Sequence, residues 1–297
     1  VKRVVTLVLI FTLFVTLFVL SGCSDARKAS TTESGKLLIV TSIYPYGELA
    51  REIAGDKAEV TVLAPPGADA HDFEPKPSDL FTLKNADLIV FNGGGLEPWA
   101  DKVLKLFGQV KVIKAEQFIV GEKISEDPHY WLSLVNARNI ARAIKDNLIT
   151  IDPANKSYYE ENYRKLADKL YELHLAMVDL TSDIKSRKIF TLHPAFGYFA
   201  RDYGLEEISL LPGKEMEATP GEIEKFMKEF SGANADYIFF DPVFGKKLAE
   251  KVGENYKVKF MPLYTLEGVD ESIKDKSYLQ LMQENIETLR LTLGGDD

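Results

Sequence analysis

Hydrophobic and polar positions alternate along this chain in a regular manner from about residue 36 onward. Short apolar runs at 36–42, 59–63, 87–91 and 110–113 predict four strands in the first half. A second set at 188–192, 207–211, 236–240 and 258–263 repeats the theme in the second half. Helical patterns lie between most of them, such as Tyr46 to Ala54 and Val135 to Leu148. Near-continuous apolar strands alternating with helices predict mostly parallel sheets covered on both faces by helices. The fold class expected is therefore α/β, with two lobes that each hold a four-stranded sheet.

The middle of the chain explains why two lobes fit better than one eight-stranded sheet. Tyr159, Tyr163, Leu166, Leu170, Leu173, Met177, Leu180 and Ile184 recur at spacings of four and three. Asp152-Pro153 offers a helix start, and no glycine or proline follows until after Arg187. Such a helix would be about 50 Å long, more than the width of a small lobe. We read it as a rigid spine joining the lobes. The same spacing suits a coiled-coil dimer; Leu175 and Val178 widen the stripe toward that of a helix packed on a globular surface, so a monomer is expected. The boundaries that follow are 36–151 for the first lobe, 152–187 for the linking helix and 188–297 for the second lobe.

The first residues carry a different pattern. Lys2 and Arg3 precede an uncharged stretch from Val4 to Leu20, followed by Leu20-Ser21-Gly22-Cys23. A basic start, an apolar centre and small residues before a cut describe a secretory signal, expected to occupy residues 1–22. A permanent membrane anchor is the competing reading, since the apolar stretch approaches the minimum length for spanning. Against it, the chain's single cysteine stands at the cut, and Leu-Ser-Gly-Cys resembles the lipobox of bacterial lipoproteins. The resemblance implies lipidation at Cys23 and an extracytoplasmic protein held to a membrane by lipid. Residues 23–35 have no apolar pattern and read as a flexible tether, with a reach of about 17–20 Å.

Composition narrows the function further. With 36 basic and 45 acidic residues, the net charge of −9 argues against a nucleic-acid binder. A single cysteine excludes an internal disulfide and any multi-thiolate zinc cluster.

Three of the four histidines sit where chemistry is expected. His71 follows the strand at 59–63, His129 precedes a helix, and His193 ends the strand at 188–192. Pro128 and Pro194 abut two of them, and Pro65, Pro66, Pro75 and Pro77 surround the third. Proline stiffens its neighbours, so these imidazoles ride on restrained loops. Ligands of open α/β sheets bind beyond the carboxyl ends of strands, which points to the cleft between the lobes. Three neutral imidazoles suit zinc, with nickel, copper and iron allowed by ligand type. No H-E-x-x-H helix is present. A fourth protein ligand would make a holding site, whereas a water there would open the way to an extracellular zinc hydrolase. Glu267 is the best-placed carboxylate and Asp241 the next. His174 lies within the spine and is expected to pack.

Taken in order, PPGADAHDFEPKPSDL, NGGGLEPW, DPHYWLS, HPAFGYFARDYGL and LEGVDESIKDKSYLQLMQENIETL resemble the metal-binding lipoproteins of bacterial ABC importers, in their zinc-uptake branch. The resemblance covers Leu37 to Leu293. It implies two α/β lobes on one long helix, and a function of binding Zn2+ outside the cytoplasm and delivering it to an ABC permease with its ATPase, without enzymatic chemistry. It also implies His71, His129 and His193 as ligands, with the glutamate of the LEG motif, Glu267, as the fourth. A histidine at the third position is similar to zinc members; a manganese or iron binder on the same scaffold is the alternative, and an adhesin role is conceivable for a surface lipoprotein. Three departures are visible. Lys114 to Asp127 lacks the histidine-rich loop of some zinc members, Ala70 replaces a glutamate ligand that some relatives offer, and Ser133-Leu134 replaces the common Asp-Pro after Trp131.

Overall fold

The computed structural model describes residues 35–294 except 109, 185 and 212–216. The expected signal, Cys23 and the tether up to residue 34 lie outside the described residues. Eight strands form two sheets of four. The first holds β1 (Leu37–Thr41), β2 (Ala58–Val62), β3 (Leu88–Phe91) and β4 (Lys111–Lys114) in the order β2-β1-β3-β4. The second holds β5 (Lys188–Thr191), β6 (Glu206–Ser209), β7 (Tyr237–Phe240) and β8 (Lys259–Pro262) in the order β6-β5-β7-β8. Every pairing is parallel. Each of the eight apolar runs has become a strand, and both sheets reverse direction at their first strand, where an open α/β sheet offers a crevice.

Nine helices connect and cover the strands among the described residues: α1 (Tyr44–Ala54), α2 (Pro77–Asn85), α3 (Ala100–Leu104), α4 (Leu134–Ile151), α5 (Lys156–Ser182), α6 (Gly197–Tyr203), α7 (Pro220–Gly232), α8 (Lys246–Asn255) and α9 (Tyr278–Leu293). The spine α5 follows a short 3-10 turn, Pro153–Asn155. Asp152 secures this entry through side chains, accepting hydrogen bonds from Asn155 Nδ2 at 2.6 Å and the Tyr159 hydroxyl at 2.7 Å.

Two expectations for the spine need correction. It ends at Ser182 rather than Arg187. Ser182 Oγ donates to the Asp179 carbonyl and Arg187 donates to the Thr181 carbonyl, so side chains satisfy two of the last turn's four acceptors in place of further helix. In addition, Leu175 and Val178 do not widen the packed stripe; both are about half exposed. The packed side is the narrower series Tyr159, Leu166, Leu170, Met177 and Leu180.

That series is buried in an apolar core shared by the lobes. Ile39 and Leu88 of the first sheet, Trp131, Leu170 and Met177, Tyr198 and Phe199 of α6, and Leu281 and Leu289 of α9 belong to one contiguous cluster. Alternate strand residues, such as Val40 and Ile89 in one sheet and Phe190 and Ile238 in the other, face two separate outer cores. The terminal helix α9 packs on α5 and α1 as well as on β8. The sheets are thus joined by a helix and by a common hydrophobic body.

Candidate metal centre

Each candidate ligand stands in a loop beyond the carboxyl end of a strand or ahead of a helix, and each loop is fixed locally. In the loop after β2, the Asp69 carboxylate accepts the His71 backbone N–H at 2.8 Å. Ahead of α4, Asp127 repeats the device and adds to it: Oδ1 accepts the His129 backbone N–H at 2.9 Å and lies 2.7 Å from ring Nδ1. An Nδ1–H donated to Asp127 fixes the ring and leaves Nε2 to face the cleft. His193 follows β5, where the Glu207 carboxylate spans Thr191 Oγ1 at 2.8 Å and the Phe196 backbone N–H at 3.0 Å.

Glu267 is held by a different arrangement. Its neighbour Leu266 is buried with φ +58°, a left-handed conformation costly for a side chain with a Cβ. Asp241 secures this turn: Oδ2 accepts the Thr265 backbone N–H at 2.7 Å and its hydroxyl at 2.8 Å, while Oδ1 accepts the backbone N–H groups of Val243 and Phe244. Asn285 of α9 pairs with both backbone groups of Tyr264. The loops of the two lobes also meet directly, with Gly67 N–H donating to the Val269 carbonyl at 2.7 Å. A Cβ on Gly268 would fall 2.9 Å from the Ala68 carbonyl oxygen, so this close approach requires glycine.

The four expected side chains come together. One Glu267 oxygen, Oε1, lies 2.8 Å from His129 Nε2, 3.0 Å from His193 Nε2 and 3.7 Å from His71 Nε2. One ligand atom from each of the four residues lies within 4.8 Å of all the others. A tetrahedral zinc with arms of 2.0–2.1 Å needs ligand atoms about 3.3 Å apart, and the three nitrogen–oxygen distances straddle that value. Two further signs fit a cation. His71 Nε2, the ring nitrogen that faces Glu267, is buried with no hydrogen-bond partner, a costly state unless something else binds there. Above the histidines a cleft of about 710 Å³, lined by Glu126, Asp127, Pro128, Pro194 and Glu207 among others, leads outward.

Electrostatics follow from the same contacts. Burial opposes a charge on His129, but hydrogen bonds to the Asp127 and Glu267 carboxylates outweigh it and push the imidazole up to about 10. Burial likewise opposes ionisation of Glu267, and the surrounding histidines overcome it, holding the carboxyl well below its usual range. Burial raises Asp241 despite its hydrogen bonds to Thr265.

Asp241, the second candidate for the fourth position, is not among the converging groups. Its Oδ2 serves the loop that presents Glu267 through Thr265, and its Oδ1 serves its own turn at Val243 and Phe244. His174 stays on the spine, with Nδ1 3.0 Å from the Tyr203 hydroxyl and its ring stacked on Tyr171. Asp127 supplies the carboxylate on His129 Nδ1, while Ser133, where Asp-Pro is common, caps α4 by accepting the Asn136 backbone N–H. Asp127 was missed in the sequence, although an aspartate two residues before a histidine is the signature of a side chain that bonds its own backbone two residues on. Asn92 was also missed: fully buried, it donates from Nδ2 to the Pro128 carbonyl at 2.8 Å and steadies the His129 loop from below.

Comparison with known proteins places this site in context. The family model described as zinc-uptake complex component A, periplasmic, matches residues 39–291. The chain belongs to this family. It is a family of transport binding proteins, not of enzymes. The high-affinity zinc uptake system protein ZnuA of Bacillus subtilis is 29% identical over 93% of this chain and 97% of its own length. The zinc-binding lipoprotein AdcA of Streptococcus pneumoniae is 30% identical over 92% of this chain, which spans 58% of AdcA. The crystal structure of the Zn(II)-bound ZnuA-like domain of AdcA superposes with a TM-score of 0.79, 30% identity, and coverage of 88% of this chain and 100% of that one. The structure of the laminin-binding protein Lmb of Streptococcus agalactiae, described as bifunctional with adhesin and metal-transporting activity, superposes at 0.77 with 26% identity, covering 86% and 99%. Among the described residues, no helix is long and apolar enough to cross a membrane.

Proposed function

We propose that this family member captures Zn2+ outside the cytoplasm with His71, His129, His193 and Glu267, and passes it to an ABC permease and its ATPase. The observation that carries this reading is the convergence of three imidazole Nε2 atoms, from both lobes, on a single oxygen of Glu267. Three neutral imidazoles and one carboxylate leave the bound ion a net charge of about +1 and favour zinc over harder cations that prefer oxygen. A fourth protein ligand closes the tetrahedron, so no position remains for a water that would act as nucleophile, and the zinc is cargo rather than catalyst. Cys23 is the residue for lipid attachment, which holds a monomer at the outer membrane face on the 23–35 tether. The lobes 36–151 and 188–297 belong to this reading, with 152–187 as the linking segment whose helix ends at Ser182.

Competition between zinc and manganese for purified protein tests the choice of ion. Zinc displacing manganese at equal concentration is expected. Preferential retention of manganese would move the protein to the manganese branch of the same class of importers.

A further inference from the structure

The short helix α6 touches the first lobe on both flanks of His129. Before the histidine, Arg201 Nη1 donates to the Glu122 carbonyl at 2.7 Å, and the Ile124 backbone N–H donates to the Tyr198 hydroxyl at 3.0 Å. After it, Ser133 Oγ donates to Asp202 Oδ2. Arg201 ties these flanks together, since its Nε and Nη2 both donate to the other oxygen of Asp202, at 2.9 and 2.6 Å. The guanidinium also lies over the Tyr198 ring. At the start of the same helix, a Cβ on Gly197 would fall 2.4 Å from Asp127 Oδ2. The carboxylate that orients His129 is therefore packed against α6, which begins four residues after His193.

We infer that Tyr198, Arg201 and Asp202 are positioning residues that form an interlobe strap governing metal release, an inference that rests on the zinc-binding reading above. The strap links the two ligand loops flanking the cleft, so His129 cannot swing away from His193 without breaking it. Arg201 is suited to the task because its planar fork engages a carbonyl and a carboxylate in different directions at once. Glu126 at φ +62° shows that the strapped loop is held in an unfavourable conformation next to Asp127. Cutting the strap frees this loop to relax, and zinc leaves faster. The strap also restrains the loop during capture, so association quickens with release and Kd rises less than the release rate.

The test measures zinc release into excess chelator by stopped flow for the parent, Tyr198→Phe, Arg201→Gln and Arg201→Lys. Val252→Ala, which thins the outer core of the second lobe, serves as a control for general loosening. Arg201→Gln is expected to accelerate release about tenfold or more, the effect of losing a hydrogen bond made by a charged group. Arg201→Lys should restore part of the difference, and Tyr198→Phe should accelerate release by removing the acceptor of the Ile124 N–H. Release within twofold of the parent in all strap variants would overturn the inference while leaving zinc binding intact. So would an equal acceleration in Val252→Ala at a matched loss of Tm. A parent protein that binds no zinc would overturn the functional reading itself, and the strap with it.

Discussion

Nε2 of His129 lies 2.8 Å from Oε1 of Glu267, although 138 residues separate them in the chain. The pair joins a loop of the first lobe to a loop of the second at the point where two other imidazoles converge. Because one partner is a cation raised to about 10 and the other a carboxylate held low, the metal-free site is an internal salt bridge. On the proposed function, a zinc ion bound there would replace this proton.

Zinc affinity should therefore depend on pH over a wider range than ordinary histidines allow. The unperturbed imidazole value of about 6.5 would confine the loss of affinity to acid. With His129 protonated up to about 10, binding releases its proton at neutral pH, and affinity should rise about tenfold per pH unit between 7 and 9. Titrations in buffers of different ionisation enthalpy would count the released proton.

The same pair makes a prediction for stability without metal. His129 has a folded pKa above its unfolded value, so its contribution is complete below about 6.5 and is lost as pH rises toward 10. Glu267 has a lowered value, so its contribution holds above about 4.3 and fails only in stronger acid. Chelator-treated protein should show a Tm that declines from pH 6.5 to 10. Zinc-loaded protein should not show this decline.

Substitutions at the site should separate ligands from the residues that hold them. His129→Ala or His193→Ala should weaken zinc binding sharply. Glu267→Ala should weaken it less, since water can enter the vacated position. Asp127→Ala should reduce affinity about 10- to 100-fold, the usual effect of removing a ligand's hydrogen-bond partner. Asp241→Ala should lower both affinity and Tm, because Thr265, Val243 and Phe244 would lose their shared acceptor.

How far the lobes move is decided by the shared core. Leu170, Met177, Tyr198 and Leu281 lie in one buried cluster that spans both halves, and wide opening would expose it at a cost of about 25 cal/mol per Å². Small-angle scattering should give nearly equal radii of gyration with and without zinc. A large difference would show that the spine bends.

Much of this was legible in the sequence because the signals were periodic or chemical. Eight apolar runs predict eight strands, and histidines beside prolines predict three of the four converging groups. Position already ranked Glu267 ahead of Asp241, spacing could not choose between them, and the resemblance to metal-binding lipoproteins implied Glu267 as the fourth ligand. What could not be read depended on tertiary contacts. Leu175 and Val178 follow the helical period yet point outward, since period alone does not say how wide a stripe the neighbouring helices cover. The spine's end was hidden because Ser182 and Arg187 take up two of its terminal carbonyls through side chains. Asp127 and Asp241 look like any surface carboxylates until their hydrogen-bond partners are known.

The central claim is that the protein closes all four positions around zinc. X-ray absorption at the zinc edge of the loaded protein tests it most directly. Four nitrogen or oxygen neighbours at about 2.0–2.1 Å are expected, three of them imidazoles, with the loss of one oxygen or its exchange for water in Glu267→Ala. Five or six neighbours, or fewer than three imidazoles, would contradict it.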